Sequence, residues 1–519
     1  MKKVFKRITA VLMCSLMTLC IPFGVSAHAE TSYTYNYDYW GEFTDSPDSY
    51  TVASVATSSD LGLENLNNKN MSKPEGLTVV GDRIFVCDSA NNRIIELKLI
   101  DGTRLEFVAL IESFNVNLSV IKDPEMRKIA ENMDTTFKNP TDLAVSEEGC
   151  YFICDKDNAR ILKLDKDFNF LMQFVKPNDA SLDADLVFKP SKLVIDTADR
   201  VYCVATGINK GLVKYEADGT FSGFIGATPV SYNFWDWLWK KFATQEQREQ
   251  MVNFVPTEYD NLYIDPEGFI YTCTSKAEEE EIKGETIQVV RKLNLLGNDI
   301  LIRNGNYPIY GDLYMGTGGQ ITGPSRFIDI TTLDNDIYIC LDKNRGRLFG
   351  YDDQGRLVYV FGGTGNMDGY FKSAAAIDHI GNSLLVLDNL NATITLFIPT
   401  EFGNLIYTAI DQFDQGEYDA AEATWRRVLG YDGNCDLAYI GIGRSLLRQK
   451  KYSEAMDYFK LKHDAQNYSK AFKQYRKQWV EDHIVLIVVV VLLLFLIPMG
   501  IGKLKSIKHE IDTADIFQL

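Results

Sequence analysis

Six polar residues stand near the starts of a series of similar sequence units, and they are this chain's candidates for a ligand-binding site. They are Glu75, Asp142, Lys192, Asn261, Arg326 and Asp329. Carboxylate and amide oxygens suit Ca²⁺ as ligands, but the cations of Lys192 and Arg326 would neutralise a calcium cage. The mixed set favours a polar ligand or ordered water, so we assign no metal ligands and no catalytic residues.

Other catalytic chemistries have little support in the sequence. His379 is the only histidine between residues 50 and 400, which excludes a zinc site built from several histidines there. Neither a Gly-x-Ser-x-Gly nor a His-Glu-x-x-His motif occurs. The glycine-rich stretch 316–319 is not followed by Lys-Ser or Lys-Thr, so it does not form a P-loop. We therefore expect a non-enzymatic protein.

A polar turn between two alternating apolar runs recurs along the chain. The copies are residues 88–94, 155–161 and 342–348, with a less similar copy at residues 388–394. This pattern is a β-hairpin signature. Starts led by proline recur upstream at Pro74, Pro140, Pro190, Pro256 and Pro324, and residues 371–374 begin a sixth unit without proline. Recurrence of this kind predicts stacked similar units.

These units resemble NHL repeats, strongly in units one, two and five and weakly in the others. The resemblance covers residues 50–400 and implies a mainly β fold, a six-bladed β-propeller. Proteins of this type are sometimes labelled gluconolactonase-like, and related lactonases use Ca²⁺ in the central channel. In the hairpins, Asp and Asn should cap turns, while Arg93, Arg160 and Arg347 should clamp neighbouring blades.

Residues 50–56 form a strand-like run before the first unit, and the last unit lacks an outer strand. We predict that this run pairs with residues 394–397, because such pairing closes the ring and removes an exposed edge. The aromatic segment around residues 33–40, within the N-terminal segment 30–49, is either an edge strand or a strip across the ring.

The two ends of the chain predict export and membrane anchoring. Residues 1–29 combine basic residues, an apolar stretch and Ala27-His28-Ala29, which is typical of a signal peptide. Residues 484–501 are apolar and long enough to span a bilayer. We predict a propeller outside the cell and a cytoplasmic tail at residues 502–519.

A helical periodicity extends over residues 401–483. Tyr418, Ala421 and Trp425 recur 34 residues later as Tyr452, Ala455 and Phe459, which is the tetratricopeptide period. A peptide-binding groove and a rigid stalk are equally open interpretations.

Charge and cysteine content narrow the class of partner. The chain has a formal net charge of −18, and most of the acidic excess falls on residues 30–400. Such a surface should repel nucleic acid. Cys87, Cys154 and Cys273 share one register of different units and are too far apart to bridge. An exported chain without disulfides favours a bacterial cell membrane.

The insertion at residues 232–252 interrupts the repeat and carries Trp235, Trp237 and Trp239. Clustered tryptophans mark partner-binding surfaces, although these rings also suit packing against the chain's own core. The sequence as a whole predicts a membrane-anchored scaffold that presents the propeller to an envelope protein, for example a transporter. The alternative is a carbohydrate- or lactone-binding propeller. We expect no cofactor under the first interpretation and possible Ca²⁺ dependence under the second.

Overall fold

The structure, a computed structural model, describes residues 34–65, 70–179, 182, 185–226, 258–284, 287–314 and 323–516. The predicted signal peptide and the three tryptophans at 235, 237 and 239 lie outside these residues. The chain divides into two compact units, Met1–Asn404 and Leu405–Leu519.

The first unit is built from antiparallel sheets. Three strands precede the repeats: β1 (Tyr35–Tyr37), β2 (Phe43–Asp45) and β3 (Tyr50–Ala56). Sheet 1 contains β4 (Gly76–Val80), β5 (Arg83–Asp88), β6 (Arg93–Ile100) and β7 (Arg104–Ile111). Sheet 2 contains β8 (Pro140–Val145), β9 (Tyr151–Asp155), β10 (Arg160–Leu164) and β11 (Phe170–Phe174).

The remaining sheets repeat this order with variations. Sheet 3 contains β12 (Pro190–Ile195), β13 (Val201–Ala205), β14 (Leu212–Tyr215) and β15 (Phe221–Ile225), and sheet 4 contains β16 (Asn261–Ile264), β17 (Ile270–Cys273) and β18 (Val290–Leu293). Sheet 5 contains β19 (Phe327–Thr332), β20 (Tyr338–Asp342), β21 (Arg347–Tyr351), β22 (Leu357–Thr364) and β23 (Tyr370–Phe371), and sheet 6 contains β24 (Ala374–Ile380), β25 (Ser383–Asp388) and β26 (Thr393–Pro399). Among the described residues, two short α-helices interrupt the strands, Pro124–Ala130 and Glu279–Lys283.

The first strands of the sheets form the inner wall of a ring. Strands β4, β8, β12, β16, β19 and β24 contact one another in chain order, and β24 contacts β4. The fold is therefore a β-propeller. Five of its sheets have four or more described strands and are full blades, whereas sheet 4 has three. The predicted count of six blades is therefore wrong: the described residues form five full blades and one three-stranded sheet.

The physical reason lies in the residues that follow β18. The chain turns at Asn294, whose main-chain oxygen accepts from Gly297 N at 2.8 Å, and returns only as an isolated bridge between Leu293 and Asp299. It then leaves for the outer hairpin of sheet 5, where Asn304 N donates to Gln354 O at 2.7 Å. After the bridge, Ile300 N donates to Lys292 O at 2.7 Å, but this short contact does not extend into a fourth strand before Asn304 joins the neighbouring sheet.

Strand β3 pairs with β26 in antiparallel register from Ala56 opposite Ile394 to Tyr50 opposite Pro399. The predicted closure of the ring is therefore confirmed. Strand β1 pairs with β2 and, through Tyr35 opposite Val360, with β22. The aromatic N-terminal segment is thus part of sheet 5, as an edge extension.

The hydrophobic core lies between adjacent sheets. The second strand of each sheet is buried on both faces; in β9, for example, every residue from Tyr151 to Asp155 is buried. Strands covered on both sides lose the alternating pattern and become continuous apolar runs. Cys87, Cys154 and Cys273 are buried, free thiols in these strands, so they serve as small packing residues.

The hairpin Asp residues organise buried ion pairs. Asp88 accepts from Arg93 Nε at 2.6 Å, and both side chains are fully buried; Asp155 and Arg160 form the same pair at 2.8 Å. Arg347 instead pairs with Asp312 at 3.0 Å. Arg93 and Arg160 thus each pair with the aspartate of their own hairpin, and the Arg160 guanidinium also lies 5.4 Å from the Phe114 ring centroid, in the segment that follows sheet 1. That these arginines clamp neighbouring blades stays a prediction.

Contacts between sheets 1 and 2 come from smaller side chains of the first hairpin. Ser89 Oγ donates to Pro140 O at 2.7 Å, and Asn92 Oδ1 accepts from Asn139 N at 2.8 Å. Turn residues therefore satisfy main-chain groups of the following sheet.

The C-terminal part of the chain is helical. The helices are Glu401–Asp414, Tyr418–Tyr431, Asp436–Arg448, Tyr452–Leu461, Ala465–Asp482 and Ile484–Ile516. From the second to the fifth, each helix packs against the next. Ala421 and Trp425 are buried, as are Ala455 and Phe459, so the residues that recur after 34 positions occupy equivalent packed faces.

One helix among the described residues has the length and composition to cross a membrane. It comprises Ile484–Thr513, with a mean hydropathy of 3.4, and none of its most apolar window is buried. The helix continues past the predicted span 484–501, through Pro498, to Ile516. A single-pass membrane anchor is compatible with this helix.

Candidate functional site

One structural position of the inner strands carries the polar residues at the centre of the ring. In each sheet, one residue of the inner strand pairs with the same position of the second strand. These six equivalent residues are Gly76, Asp142, Lys192, Asn261, Asp329 and Ala376. In sheets 2, 3, 5 and 6 a register shift immediately precedes this position. Bulges of this kind redirect a side chain, and here they occur next to the residues that face the channel.

Four of the six sequence candidates come together at this position. Asp142, Lys192, Asn261 and Asp329 line a single cavity of about 400 Å³. Their meeting follows from the ring, since equivalent residues of the inner strands converge on the axis. This cavity is the candidate ligand-binding site.

The carboxylates of the cavity also join adjacent sheets. Asp142 Oδ2 accepts from Leu193 N of the next sheet at 2.8 Å. Asp329 Oδ2 accepts from Ile377 N of the next sheet at 2.8 Å, and its Oδ1 accepts from Ile330 N at 2.7 Å and from the Asn261 side-chain amide. These bonds satisfy buried main-chain donors, so both aspartates have a structural role.

Burial shapes the ionisation of these carboxyl groups. It raises the pKa of Asp142, against the lowering effect of the Lys192 charge and of backbone N–H donors. It also raises the pKa of Asp329 to about 7, again opposed by Lys192 and by the N–H groups of Ile377 and Ile330. The cavity therefore has a carboxyl group that titrates near neutral pH.

Lys192 is the cation at the centre of the cavity. Its Nζ lies 3.4 Å from Glu75 O and 4.0 Å from Asp142 Oδ1, longer than the 2.7–2.9 Å typical of charge-assisted hydrogen bonds. Burial alone would lower the pKa of Lys192, but the carboxylates of Asp142 and Asp329 outweigh it and raise this pKa to about 12. The ammonium stays charged and can donate to an acceptor on a ligand.

Glu75 and Arg326 occupy other places. Glu75 precedes the channel position by one residue, and side chains alternate along a strand. It lines a second cavity of about 520 Å³, which Lys192 also lines, and its carboxylate lies 3.3 Å from Lys156 Nζ. Predicting one mouth for all six residues is therefore wrong for Glu75.

Arg326 is exposed and lines neither of these cavities. It stands where Lys189 and Asn139 stand in sheets 3 and 2, just before the inner strand begins. Its main-chain N donates to Asp342 Oδ1 at 2.8 Å. The assignment of Arg326 to the channel mouth is wrong because the residue lies outside the strand.

Sequence reasoning missed several residues of the cavity. Asp378, His379, Tyr263 and Asp334 also line it. Asp378 Oδ2 accepts from Val79 N of sheet 1 at 2.6 Å, and Thr331 Oγ1 lies 2.8 Å from His379 Nδ1. The pair Asp378-His379 in the sixth unit could have pointed to this cavity. That unit has no proline at its start, so its alignment with the other units was uncertain from the sequence.

The side chains that line the cavity do not fit a calcium cage. The Asp142 and Asp329 carboxylates accept N–H groups, and the ammonium of Lys192 stands beside Asp142. Within the described ranges, no three His, Cys, Asp or Glu side chains are grouped as ligands for a metal ion. We therefore derive no chemistry through Ca²⁺.

Comparisons with known proteins add little beyond the fold. No protein-family model matches the sequence, and no curated protein matches it. Among solved structures, it is similar to virginiamycin B lyase from Staphylococcus aureus, with 9% identity, a TM-score of 0.35, and coverage of 67% of this chain and 99% of that chain. It is also similar to a putative gluconolactonase, with 9% identity, a TM-score of 0.36, and coverage of 68% of this chain and 94% of that chain. With BamB from Moraxella catarrhalis it shares 9% identity and a TM-score of 0.31, with coverage of 64% of this chain and 86% of that chain. At these values the similarity carries no functional argument, and the propeller assignment rests on the ring of sheets itself.

Proposed function

We propose that this chain is a membrane-anchored, extracytoplasmic scaffold protein that presents its propeller and a tetratricopeptide-like module to an envelope protein. The observation that carries this proposal is the use of the central carboxylates: Asp142, Asp329 and Asp378 each accept a backbone N–H from the next sheet. Groups occupied in this way hold the ring together and are poorly available for acid–base catalysis. A propeller whose described central carboxylates are occupied in this way suits binding.

The helical module supports a scaffold of tetratricopeptide type. A Cβ on Gly441 would lie 2.4 Å from the Trp425 ring, and a Cβ on Gly443 would lie 2.6 Å from the Phe459 ring. Trp425 and Phe459, which stand 34 residues apart, thus each pack onto a glycine of the helix Asp436–Arg448. Close helix packing around repeated aromatics is what stacked helical repeats require.

The proposed anchor is the helix Ile484–Thr513, whose apolar side chains are exposed. A cleaved signal peptide at residues 1–29 would place the propeller and the helical module outside a bacterial cell, with residues 502–519 in the cytoplasm. Protease added to intact spheroplasts tests this topology: it should degrade the propeller and spare a tag on the C-terminus. Protection of the propeller would contradict it.

Chemical cross-linking in native membranes, followed by mass spectrometry, tests the scaffold proposal. We expect one abundant membrane protein linked to the full-length chain. Trp237→Ala, in the predicted partner-binding insertion with Trp235 and Trp239, should reduce its recovery. Trp40→Ala is the matched control, because Trp40 is exposed in the N-terminal segment. Equal recovery with both variants would reject the insertion as the contact, and recovery of the chain alone would argue against the scaffold.

The second candidate function is carbohydrate or lactone binding in the cavity of about 400 Å³. The long contacts of the Lys192 ammonium favour it, because a ligand hydroxyl or carbonyl oxygen can complete the coordination of the cation. A ligand that raises Tm in the wild type and not in Lys192→Met would support this function. No response to a broad glycan and lactone set would reject it.

Calcium dependence remains a prediction of the second candidate alone. Because the donors do not fit a calcium cage, we expect the Tm of the full-length chain to be the same with Ca²⁺ and with a chelator. A rise in Tm with Ca²⁺ that is lost in Asp142→Ala or Asn261→Ala would contradict this expectation.

A further inference from the structure

The helix Ala465–Asp482 changes character along its length. Near its start Asn467 and Ala471 are buried, and the helix packs against Tyr452–Leu461. From Phe472 to Asp482 every residue is exposed. This second part lies immediately before the apolar helix that begins at Ile484.

The exposed part carries an aromatic stripe. Tyr468, Phe472, Tyr475 and Trp479 follow one another at intervals of four, three and four residues, which places them on one face of an α-helix. Phe472 is 44% exposed, Tyr475 39% and Trp479 48%. Tyr468 and Phe472 stack with their ring centroids 6.4 Å apart. Large rings exposed along one face of a helix call for a partner.

The rest of the helix surface is basic. Arg476 lies beside the stripe, whereas Lys470, Lys473 and Lys477 lie on the opposite side of the helix. The two acids Glu481 and Asp482 lie at the end of the helix. The Arg476 guanidinium is 6.0 Å from the Phe472 ring centroid. Tyr and Trp favour the headgroup layer of a bilayer, and clustered Lys and Arg beside a membrane span favour anionic lipid.

The chain has a break where such a helix must bend. One helix ends at Asp482 and the next begins at Ile484, while His483 between them has φ −111° and ψ 11°, outside the helical region. Residues on the two sides of this break therefore need not share one helix axis. The span can cross the bilayer while the preceding helix follows its surface.

We infer that residues 468–480 dock onto the surface of the membrane, with the aromatic stripe in the headgroup layer, Arg476 beside it on anionic lipid phosphates, and the three lysines above it in the field of the anionic surface. The inference rests on the proposed anchor, because the span Ile484–Thr513 brings this helix to the bilayer. A helix with one apolar face and a basic flank is the usual form of an interfacial helix. The basic segment differs in charge from the acidic propeller, which anionic lipid should repel.

Spin-label accessibility in nanodiscs tests this inference on the full-length chain. A nitroxide is attached at Tyr475→Cys on the stripe or at Gln474→Cys off it, in a chain with Cys14, Cys20 and Cys150 replaced by serine; the other cysteines are buried. We expect position 475 to lose collisions with a water-soluble nickel chelate in nanodiscs containing anionic lipid, and position 474 to keep them. In purely zwitterionic nanodiscs the protection at 475 should weaken.

Charge removal provides a second measurement. Arg476→Gln should shift the docked-to-undocked ratio at position 475 by roughly fivefold in anionic nanodiscs, and Lys477→Gln, on the opposite side of the helix, should shift this ratio less. Equal collisions at 474 and 475 would overturn the inference while leaving the anchor intact. So would protection at 475 that is the same in both lipids, because the stripe would then be covered by protein. A chain that does not enter nanodiscs would overturn both the anchor and this inference.

Discussion

The carboxyl group of Asp329 gives the sharpest test of the ring's electrostatics. Burial raises its pKa from 3.8 to about 7, so the folded chain binds this proton more tightly than the unfolded chain does. The associated stability is fully present below pH 3.8 and is lost as the pH rises through about 7. The difference corresponds to roughly 4 kcal/mol in the free energy of unfolding over the whole range. Asp329→Asn removes the titration while keeping the shape of the side chain.

The readout is the difference in free energy of unfolding between wild type and Asp329→Asn, measured at about pH 4.5 and about pH 8. Any pH-independent cost of the amide cancels in this comparison. Wild type should lose roughly 3 kcal/mol relative to the variant between these two values. Urea unfolding of the full-length chain in detergent, followed by near-ultraviolet circular dichroism of the buried tyrosines, measures it.

Asp334→Asn is the matched control, because Asp334 lines the same cavity but is exposed. A pH-dependent loss shared by this variant would come from the overall charge of the cavity and not from the burial of Asp329. The reasoning is refuted if the free energy of unfolding of wild type increases relative to that of Asp329→Asn as the pH rises. The three N–H donors on the carboxylate would then outweigh burial, and Asp329 would be ionised throughout.

Two further substitutions test the packing of each unit by urea unfolding. Arg93→Ala should destabilise the propeller by about 3–5 kcal/mol because it leaves the buried Asp88 carboxylate without its cation. Lys98→Ala, which removes an exposed ion pair, should destabilise it by less than about 1 kcal/mol. Similar effects of the two substitutions would contradict the buried pair. Gly441→Ala should destabilise the helical module by about 1–3 kcal/mol, since the added Cβ would meet the Trp425 ring. Gly430→Ala, with open space around it, should stabilise its helix by up to about 1 kcal/mol, and a neutral Gly441→Ala would argue against the close helix packing.

Local patterns predicted much of the architecture. Alternating runs around polar turns predicted the hairpins, and the unpaired run at 50–56 predicted the strand that pairs with β26. Sheet 4 escaped prediction because residues 295–302 are apolar enough to resemble a strand. The hydrogen bond from Asn304, just after them, to Gln354 of sheet 5 is a long-range contact, which no local pattern reveals.

The site was predictable in part for the same reason. Asp142, Lys192, Asn261 and Asp329 all stand within a few residues of a unit start, so the sequence placed them near one channel mouth, but their common register is visible only in the strand pairing. Glu75 and Arg326 were misplaced because a shift of one or three residues is invisible until the pairing of the inner strand is known. The difference matters since neighbouring residues of a strand face opposite sides.

The pairing of β3 with β26 has a consequence for biogenesis. Ala56 leaves the ribosome long before its partner Ile394, so the ring stays open while nearly all of the propeller is synthesised. Strand β3 must wait as an unpaired edge, which is prone to wrong pairings. Because contacts between distant parts of a chain form slowly, closure should be a late step in folding. A chain that emerges unfolded through an export channel would meet the same order of events, and β26 would complete the ring just before the helices that lead to the membrane emerge.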